Sequence, residues 1–181
     1  ELSIATLGNW GWDEAKAAIL KATEDPDDMV RATAVGALEG WPNSEEAYEI
    51  LLLAIDDAKW PIRMQASRAM RPFPGRDADK ALLATVLDPN SHVRYTAAES
   101  LRHRDTSKVL PDLRELFDHP APHLFDAGFD LLGDIGTAED AKFLSTVGSF
   151  FNFSQPGHVR GWARAARKKI KSRLANKTPA A

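Results

Sequence analysis

Small and apolar residues recur along this chain with the spacing of one helix face, and that pattern itself repeats at a nearly constant interval. Each repeat begins at an apolar anchor residue, which is followed four, seven and eight places later by small or apolar residues. The anchors are Val30, Ile62, Val93, Leu124 and Val159, whose sequence numbers differ by 32, 31, 31 and 35. These offsets fall on one side of a helix, so each anchor predicts an amphipathic helix with one buried face.

A second amphipathic segment precedes each anchor helix, so the pattern predicts pairs of helices. The preceding segments are residues 12–23, 44–57, 77–87, 107–118 and 137–150. Proline occurs in the connections, at Pro26, Pro89 and Pro120, where it cannot continue one helix and readily begins the next. Since no segment alternates apolar and polar residues with a period of two, we expect no β-sheet.

A single hairpin of this kind has more apolar surface than it can bury alone, and stacked hairpins bury that surface in a continuous core. We therefore expect an all-α fold, a right-handed α-solenoid (α-α superhelix) of about five helical hairpins in one domain over residues 1–181. The expected divisions are a partial repeat at 1–10, hairpins at 11–40, 41–72, 73–104, 105–135 and 136–174, and a tail at 175–181.

The opening residues continue the period backwards. Leu7 stands one repeat interval before Leu38, and Trp10 stands the same interval before Trp41. Residues 1–10 therefore have the pattern of a second helix whose beginning is missing, and we expect the chain to be a fragment of a longer protein. The alternative is a natural capping helix. A truncated start leaves the compartment of the protein unknown.

The turns inside the hairpins carry a paired motif, an Asp six places before the Arg that follows the anchor. The pairs are Asp25 with Arg31, Asp57 with Arg63, and Asp88 with Arg94, and the fourth repeat replaces both members, by His119 and Phe125. This pattern resembles the HEAT repeat, especially the short bacterial variety also found in phycobilin lyases. The resemblance implies a ladder of Asp–Arg hydrogen bonds along the turns, and a concave face lined by the second helices.

Helical phase indicates which side chains of the second helices face that concave surface. At about 100° per residue, positions two, six and nine after the anchor point away from the core. They are Met64, Arg68 and Arg71 in the second repeat, Tyr95, Glu99 and Arg102 in the third, and Asp126, Asp130 and Gly133, with Phe129 alongside, in the fourth. The first six are our candidate binding residues, because Tyr, Met and Arg are enriched at protein interfaces. The alternative is that they are ordinary exposed side chains, with Arg68 pairing with Glu99.

Charge is distributed unevenly along the chain. Residues 1–60 carry 4 basic and 13 acidic side chains and residues 61–181 carry 19 and 13, so the net charges are −9 and +6 and sum to −3. From Gly157 onward there are 8 basic residues and no acidic one. Together with this terminal cluster, the basic candidates for an alternative function, nucleic-acid binding, are Arg68, Arg71, Arg102, His103 and Arg104. The acidic first third argues against a long footprint on a nucleic acid.

No arrangement of residues in the sequence predicts catalysis, a cofactor or a metal site. The chain has no Cys, which excludes disulfides, thiolate nucleophiles and zinc–cysteine sites. A secondary candidate surface is the aromatic run of Phe150, Phe151 and Phe153, in the loop that the last, longer spacing places there. The alternative is that these rings cover the end of the core.

The leading interpretation is a non-catalytic protein-interaction scaffold, or the HEAT module of a larger enzyme or complex. Its partner would be another protein or another domain of the same parent chain. No stretch approaches the ~20 apolar residues of a membrane span, and 44% apolar with 27% charged residues is typical of soluble globular proteins. A third alternative, a chromophore lyase-type enzyme, rests on the repeat similarity alone.

Overall fold

The computed structural model of the chain describes residues 13–118, 121–150 and 157–177. In this part of the chain there are ten α-helices and no β-strand, which confirms the expected all-α solenoid. The helices are α1 (Asp13–Ala22), α2 (Asp28–Ala37), α3 (Glu45–Ala54), α4 (Trp60–Ala69), α5 (Arg76–Thr85), α6 (Ser91–Arg102), α7 (Thr106–Glu115), α8 (Asp126–Ile135), α9 (Ala138–Phe150) and α10 (Gly157–Lys177). Short 3₁₀ turns follow α2, follow α7 and precede α8, at Leu38–Gly40, Leu116–Asp118 and Pro122–Leu124.

Consecutive helices pack as hairpins, and the hairpins stack into two layers. The even-numbered helices form one layer, in which each member packs extensively against the next from α2 to α10. In the layer of odd-numbered helices, the contacts among the described residues are smaller, and the largest of them joins α5 and α7. The layer of second helices is therefore the more closely packed one, as expected on the inner side of a curved stack.

One hydrophobic core runs through all the hairpins, from Ile19 in α1 to Ile170 in α10. The small residues predicted four places after the anchors explain how the second helices approach each other. Ala34, Ala66 and Ala97 are all completely buried between neighbouring helices. Because alanine adds one methyl group, it allows close helix packing while contributing to the core.

The fourth hairpin departs from the predicted register. Its predicted anchor, Leu124, lies in the 3₁₀ turn that Pro122 begins, and α8 starts only at Asp126. Phe125 and Phe129 turn into the core instead, each 1% exposed, and both rings contact Phe117. This aromatic cluster replaces the Asp–Arg motif of the other turns. Because Phe129 is buried in the cluster, the prediction that it lies along the open face was wrong.

Candidate functional site

Two neighbouring depressions lie on the open face of the second helices, which we call the groove face. One, of about 540 Å³, lies between α2 and α4 and is lined by Thr33, Gly36, Gln65 and Arg68, among others. The other, of about 580 Å³, lies between α4 and α6. The side chain of Arg68 lines both depressions, which therefore adjoin, and we call the two together the groove.

The structure brings most of the predicted binding residues together in the second depression. Its lining includes Met64, Arg68, Arg71, Tyr95 and Glu99. Tyr95 is 44% exposed, so its ring is accessible from the groove. Partial burial raises the pKa of Tyr95, and the carboxylates of Asp126 and Asp130 raise it further, so its hydroxyl stays protonated and able to donate a hydrogen bond.

The cations of the groove differ in how they are paired. Arg71 binds the Glu39 carboxylate, with its Nη2 atom 2.7 Å from Oε1. The expected pair of Arg68 with Glu99 does not form, because the Glu99 carboxylate binds Arg102 on its own helix. Arg68 is exposed and has no hydrogen-bond or ion-pair partner among the described residues. Its charge is therefore available to a ligand.

Arg102 belongs to a cluster of charges beside the groove instead of to the groove lining. It binds Glu99 and Asp130, and its Nε atom lies 2.6 Å from Oδ2 of Asp134. Lys169 in α10 binds the same two aspartates, at 3.0 Å from Asp130 and 2.7 Å from Asp134. Burial disfavours the charge of Arg102, but the carboxylates outweigh it and raise the pKa of this guanidinium. The cluster therefore ties α6, α8 and α10 together.

The other groove positions predicted in the fourth repeat are occupied structurally. Asp126 accepts two hydrogen bonds from Arg94, at 2.7 Å from Nε and 2.9 Å from Nη2. Gly133 is buried against α10, where an added Cβ would lie 3.2 Å from the Ala166 Cα atom. These two residues are therefore packing groups of the α8 helix, and the prediction that they face the groove was wrong.

An arginine ladder runs along the turns, as the repeat motif led us to expect, although its rungs vary. Arg63 binds Asp88 of the next turn in a bidentate pair, at 2.6 Å from Nε and 3.0 Å from Nη2. Arg94 reaches Asp126 in α8, since the fourth turn lacks the motif Asp. Arg31 pairs with Asp28 of its own helix. In the second and third repeats the ladder joins consecutive hairpins.

Most of the basic residues that suggested nucleic-acid binding are committed to other contacts. Arg104 is largely buried, with its Nε atom 3.3 Å from Asp79, and it donates to the main-chain carbonyls of Met70 and Phe73. Burial lowers the pKa of Arg104, and the Asp79 carboxylate opposes that effect. His103 lies 3.5 Å from Glu99. Exposed cations free of acidic neighbours in sequence remain on α10, at Arg164, Lys168 and Lys171.

Two features of the groove escaped the sequence interpretation. The buried carboxamide oxygen of Gln65 has no hydrogen-bond donor among the described residues. Trp60 is 41% exposed and stacks on His92, with ring centroids 5.6 Å apart, at the end of the second depression. The first depends on the position of one side-chain atom and has no sequence signal. The Trp60–His92 stack does have a sequence signal, because an aromatic side chain occurs near the start of both α4 and α6.

Some predicted features lie outside the described residues. Phe151 and Phe153 are among them, as is the partial repeat at 1–10, and the side chain of Phe150 is not described either. Within the described ranges, no three His, Asp or Glu side chains gather as metal ligands would. Among the same residues, no helix has the length and apolarity needed to cross a bilayer.

A family model described as HEAT repeats matches this chain twice, over residues 1–71 and 49–127. The two matches together cover more than half of the sequence. The chain belongs to the HEAT-repeat family. The resemblance to phycobilin lyases in particular stays a prediction.

Two solved structures are similar to this HEAT-repeat chain, and the first of them has the same kind of fold. An engineered protein is 19% identical, with 93% of this chain and 89% of that chain covered and a TM-score of 0.51. A designed armadillo repeat protein in complex with the peptide (KR)4 is 14% identical over 92% of this chain and 90% of that chain, with a TM-score of 0.48. No curated protein matches the chain. At these identities the likeness concerns the fold alone.

Proposed function

We propose that this chain is a non-catalytic protein-interaction module that holds an extended segment of its partner in the groove across α2, α4 and α6. The partner is another protein or another domain of the same parent chain. HEAT repeats form a fold that is typical of interaction scaffolds. The groove face supplies the specific support for this proposal.

The main support is the position of Tyr95 and Met64. Both line the depression between α4 and α6, and Tyr95 is 44% exposed. A rigid aromatic ring and a flexible thioether, flanked by Arg side chains, is a composition enriched at the centres of protein interfaces. An extended peptide laid across the helices would bury these two side chains.

Ion pairing favours a protein over a nucleic acid as the partner. Arg71, Arg102 and Arg104 each already have a carboxylate partner, so a phosphate would have to displace it. A protein that binds nucleic acid through many phosphate contacts needs a row of available cations. Among the groove arginines, Arg68 alone meets that description in the part of the chain that the structure describes.

A peptide-display selection tests this proposal, followed by affinity measurements on synthetic copies of the selected peptides. We expect Tyr95→Ala to weaken binding at least about 10-fold, because truncating a central aromatic anchor typically costs ~2 kcal/mol or more. Leu53→Ala is the matched control, since Leu53 is 77% exposed but lies on α3 in the other layer. Selected peptides that tolerate Tyr95→Ala and lose affinity with Leu53→Ala would place the binding surface on the wrong layer for this proposal.

A further inference from the structure

Arg68 is the arginine of the groove face that has no counter-ion among the residues that the structure describes. The two carboxylates that line the depressions beside it contact other arginines, because Glu39 binds Arg71 and Glu99 binds Arg102, which Asp130 and Asp134 also bind. The guanidinium of Arg68 lies where the two depressions meet, so a ligand in either one would contact it. Arg68 therefore supplies a positive charge at the groove centre that no carboxylate contacts in the part of the chain that the structure describes.

The depression between α2 and α4 has a second polar group without a partner. The Gln65 side chain lies over Gly36, and a Cβ atom at that position would be 2.8 Å from the Gln65 oxygen and 3.1 Å from Nη2 of Arg68. Glycine therefore lets both polar side chains lie against α2. The Gln65 oxygen is buried and has no donor within the described part of the chain, which is costly unless a group from the groove supplies one. A peptide N–H is such a donor.

The depression on the other side of Arg68 has a different character. Met64 and Tyr95 offer apolar surface there, and Thr96 adds a methyl group. In an extended peptide, side chains two residues apart point the same way and lie about 6–7 Å from each other. Adjacent helices are about 8–10 Å apart, and the flexible Arg68 side chain spans the difference.

We propose that the groove recognises an acidic peptide, in which one Asp or Glu pairs with Arg68 and an aromatic or aliphatic side chain two residues away packs between Met64 and Tyr95. This inference rests on the proposed function and adds the chemistry of the ligand. Charge complementarity favours an acidic ligand, because no carboxylate of the described residues pairs with Arg68.

Three pools of fluorescein-labelled ten-residue peptides in a Gly/Ser/Thr background test the proposal by fluorescence anisotropy. The first pool has a fixed Glu with Phe two residues later, the second has Lys in place of the Glu, and the third has Ser in place of the Phe. We expect the first pool to bind about fivefold more tightly than the second, because an exposed ion pair contributes at most about 1 kcal/mol. It should also bind more tightly than the third.

Two charge-reversal variants show whether Arg68 causes that preference. Arg68→Glu should fold normally, since the side chain is exposed, and it should reverse the order of the first two pools. Lys80→Glu, an exposed site on α5 in the other layer, should leave the order unchanged. A merely structural role of Arg68 would weaken both pools equally and would not reverse their order.

The outcomes separate this inference from the proposed function. Equal binding of the first two pools, or an order that Arg68→Glu does not change, overturns the acidic preference. If no pool binds but display-selected peptides still bind through Tyr95, the inference fails and the proposed function stands. If neither the pools nor any selected peptide binds, both fail.

Discussion

Each turn arginine of the second and third repeats makes two kinds of contact with one guanidinium group. In Arg63, Nη1 donates to the Asp57 carbonyl of its own turn at 2.7 Å, while Nε and Nη2 hold the Asp88 carboxylate of the next hairpin. Asp88 in turn accepts the main-chain N–H of Asn90 at 2.7 Å. The side chains of Arg63 and Asp88 are 14% and 6% exposed, so solvent screens this pair only weakly. The pair therefore fixes both the turn and the stacking of two hairpins.

Removing the Asp88 carboxylate should destabilise the fold more than removing an exposed one. Asp88→Ala leaves a largely buried guanidinium and a turn N–H without their acceptor, and we expect a loss of about 2–3 kcal/mol in the free energy of unfolding. Asp28→Ala is the matched control, because Asp28 also pairs with Arg31 and Lys59 but on an exposed surface, where the change should be much smaller. Denaturant unfolding of both variants measures the difference. Equal losses would mean that the turn ladder contributes no more than a surface ion pair.

Helices α8 and α10 approach each other closely because one residue between them has no side chain. A Cβ atom on Gly133 would lie 3.0 Å from the Lys169 Cδ atom and 3.2 Å from the Ala166 Cα atom. The Lys169 side chain is able to move aside, but the main chain at Ala166 moves only with the whole helix. This approach also sets the distance between Lys169 and the aspartates of α8. A single glycine thus controls the geometry of the last two hairpins.

Two glycine substitutions on neighbouring helices should have opposite effects. Gly133→Ala should cost about 1–3 kcal/mol of unfolding free energy, the usual penalty for overpacking, because α10 must shift outward. Gly161→Ala in α10 should stabilise the protein by up to about 1 kcal/mol, since a Cβ there meets nothing within 4 Å and alanine favours the helix. Thermal and denaturant unfolding of the two variants check this pair. A stabilising Gly133→Ala would contradict the packing described for α8 and α10.

At the scale of the whole molecule, repetition in the sequence predicts the architecture well. The anchors and the small residues four places later, such as Ala66 and Ala97, specify one buried face in every second helix. That face can be predicted without knowledge of distant parts of the chain, because each hairpin packs mainly on its neighbours. The order of the helices, the two layers and the core therefore follow from local pattern.

The charges of the groove face could not be predicted in the same way. Arg102 was assigned to the groove by helical phase, but its partners Asp130 and Asp134 come from the next hairpin. In that hairpin, the turn at Pro122 delays the helix and changes which positions face outward. Pairing among three helices depends on distances of a few ångströms, which the repeat period does not specify. For the same reason, the sequence did not predict that Arg68 lacks an ion-pair partner among the described residues.

The charge cluster around Arg102 lies beside the exposed side chains of the groove, although the groove also contains the Arg71–Glu39 ion pair. The cluster around Arg102 and Lys169 holds the later hairpins together. The earlier ones present Arg68, Met64 and Tyr95 around two open depressions. If a ligand binds here as proposed, a few specific side chains would discriminate among ligands, because Arg71 and Arg102 already have carboxylate partners.

The three methionines of the chain allow a direct test of the proposal that a peptide binds in the groove. Met64 lines the groove, Met70 is completely buried in the core, and Met29 is 68% exposed but outside the lining of either depression. Titration of methyl-¹³C-methionine protein with a display-selected peptide, followed by NMR, reports on all three sites at once. Binding in the groove predicts a saturable shift of the Met64 methyl signal, with Met70 and Met29 nearly unchanged. Saturable binding that moves the Met29 signal and leaves Met64 where it was would contradict the assignment of the groove.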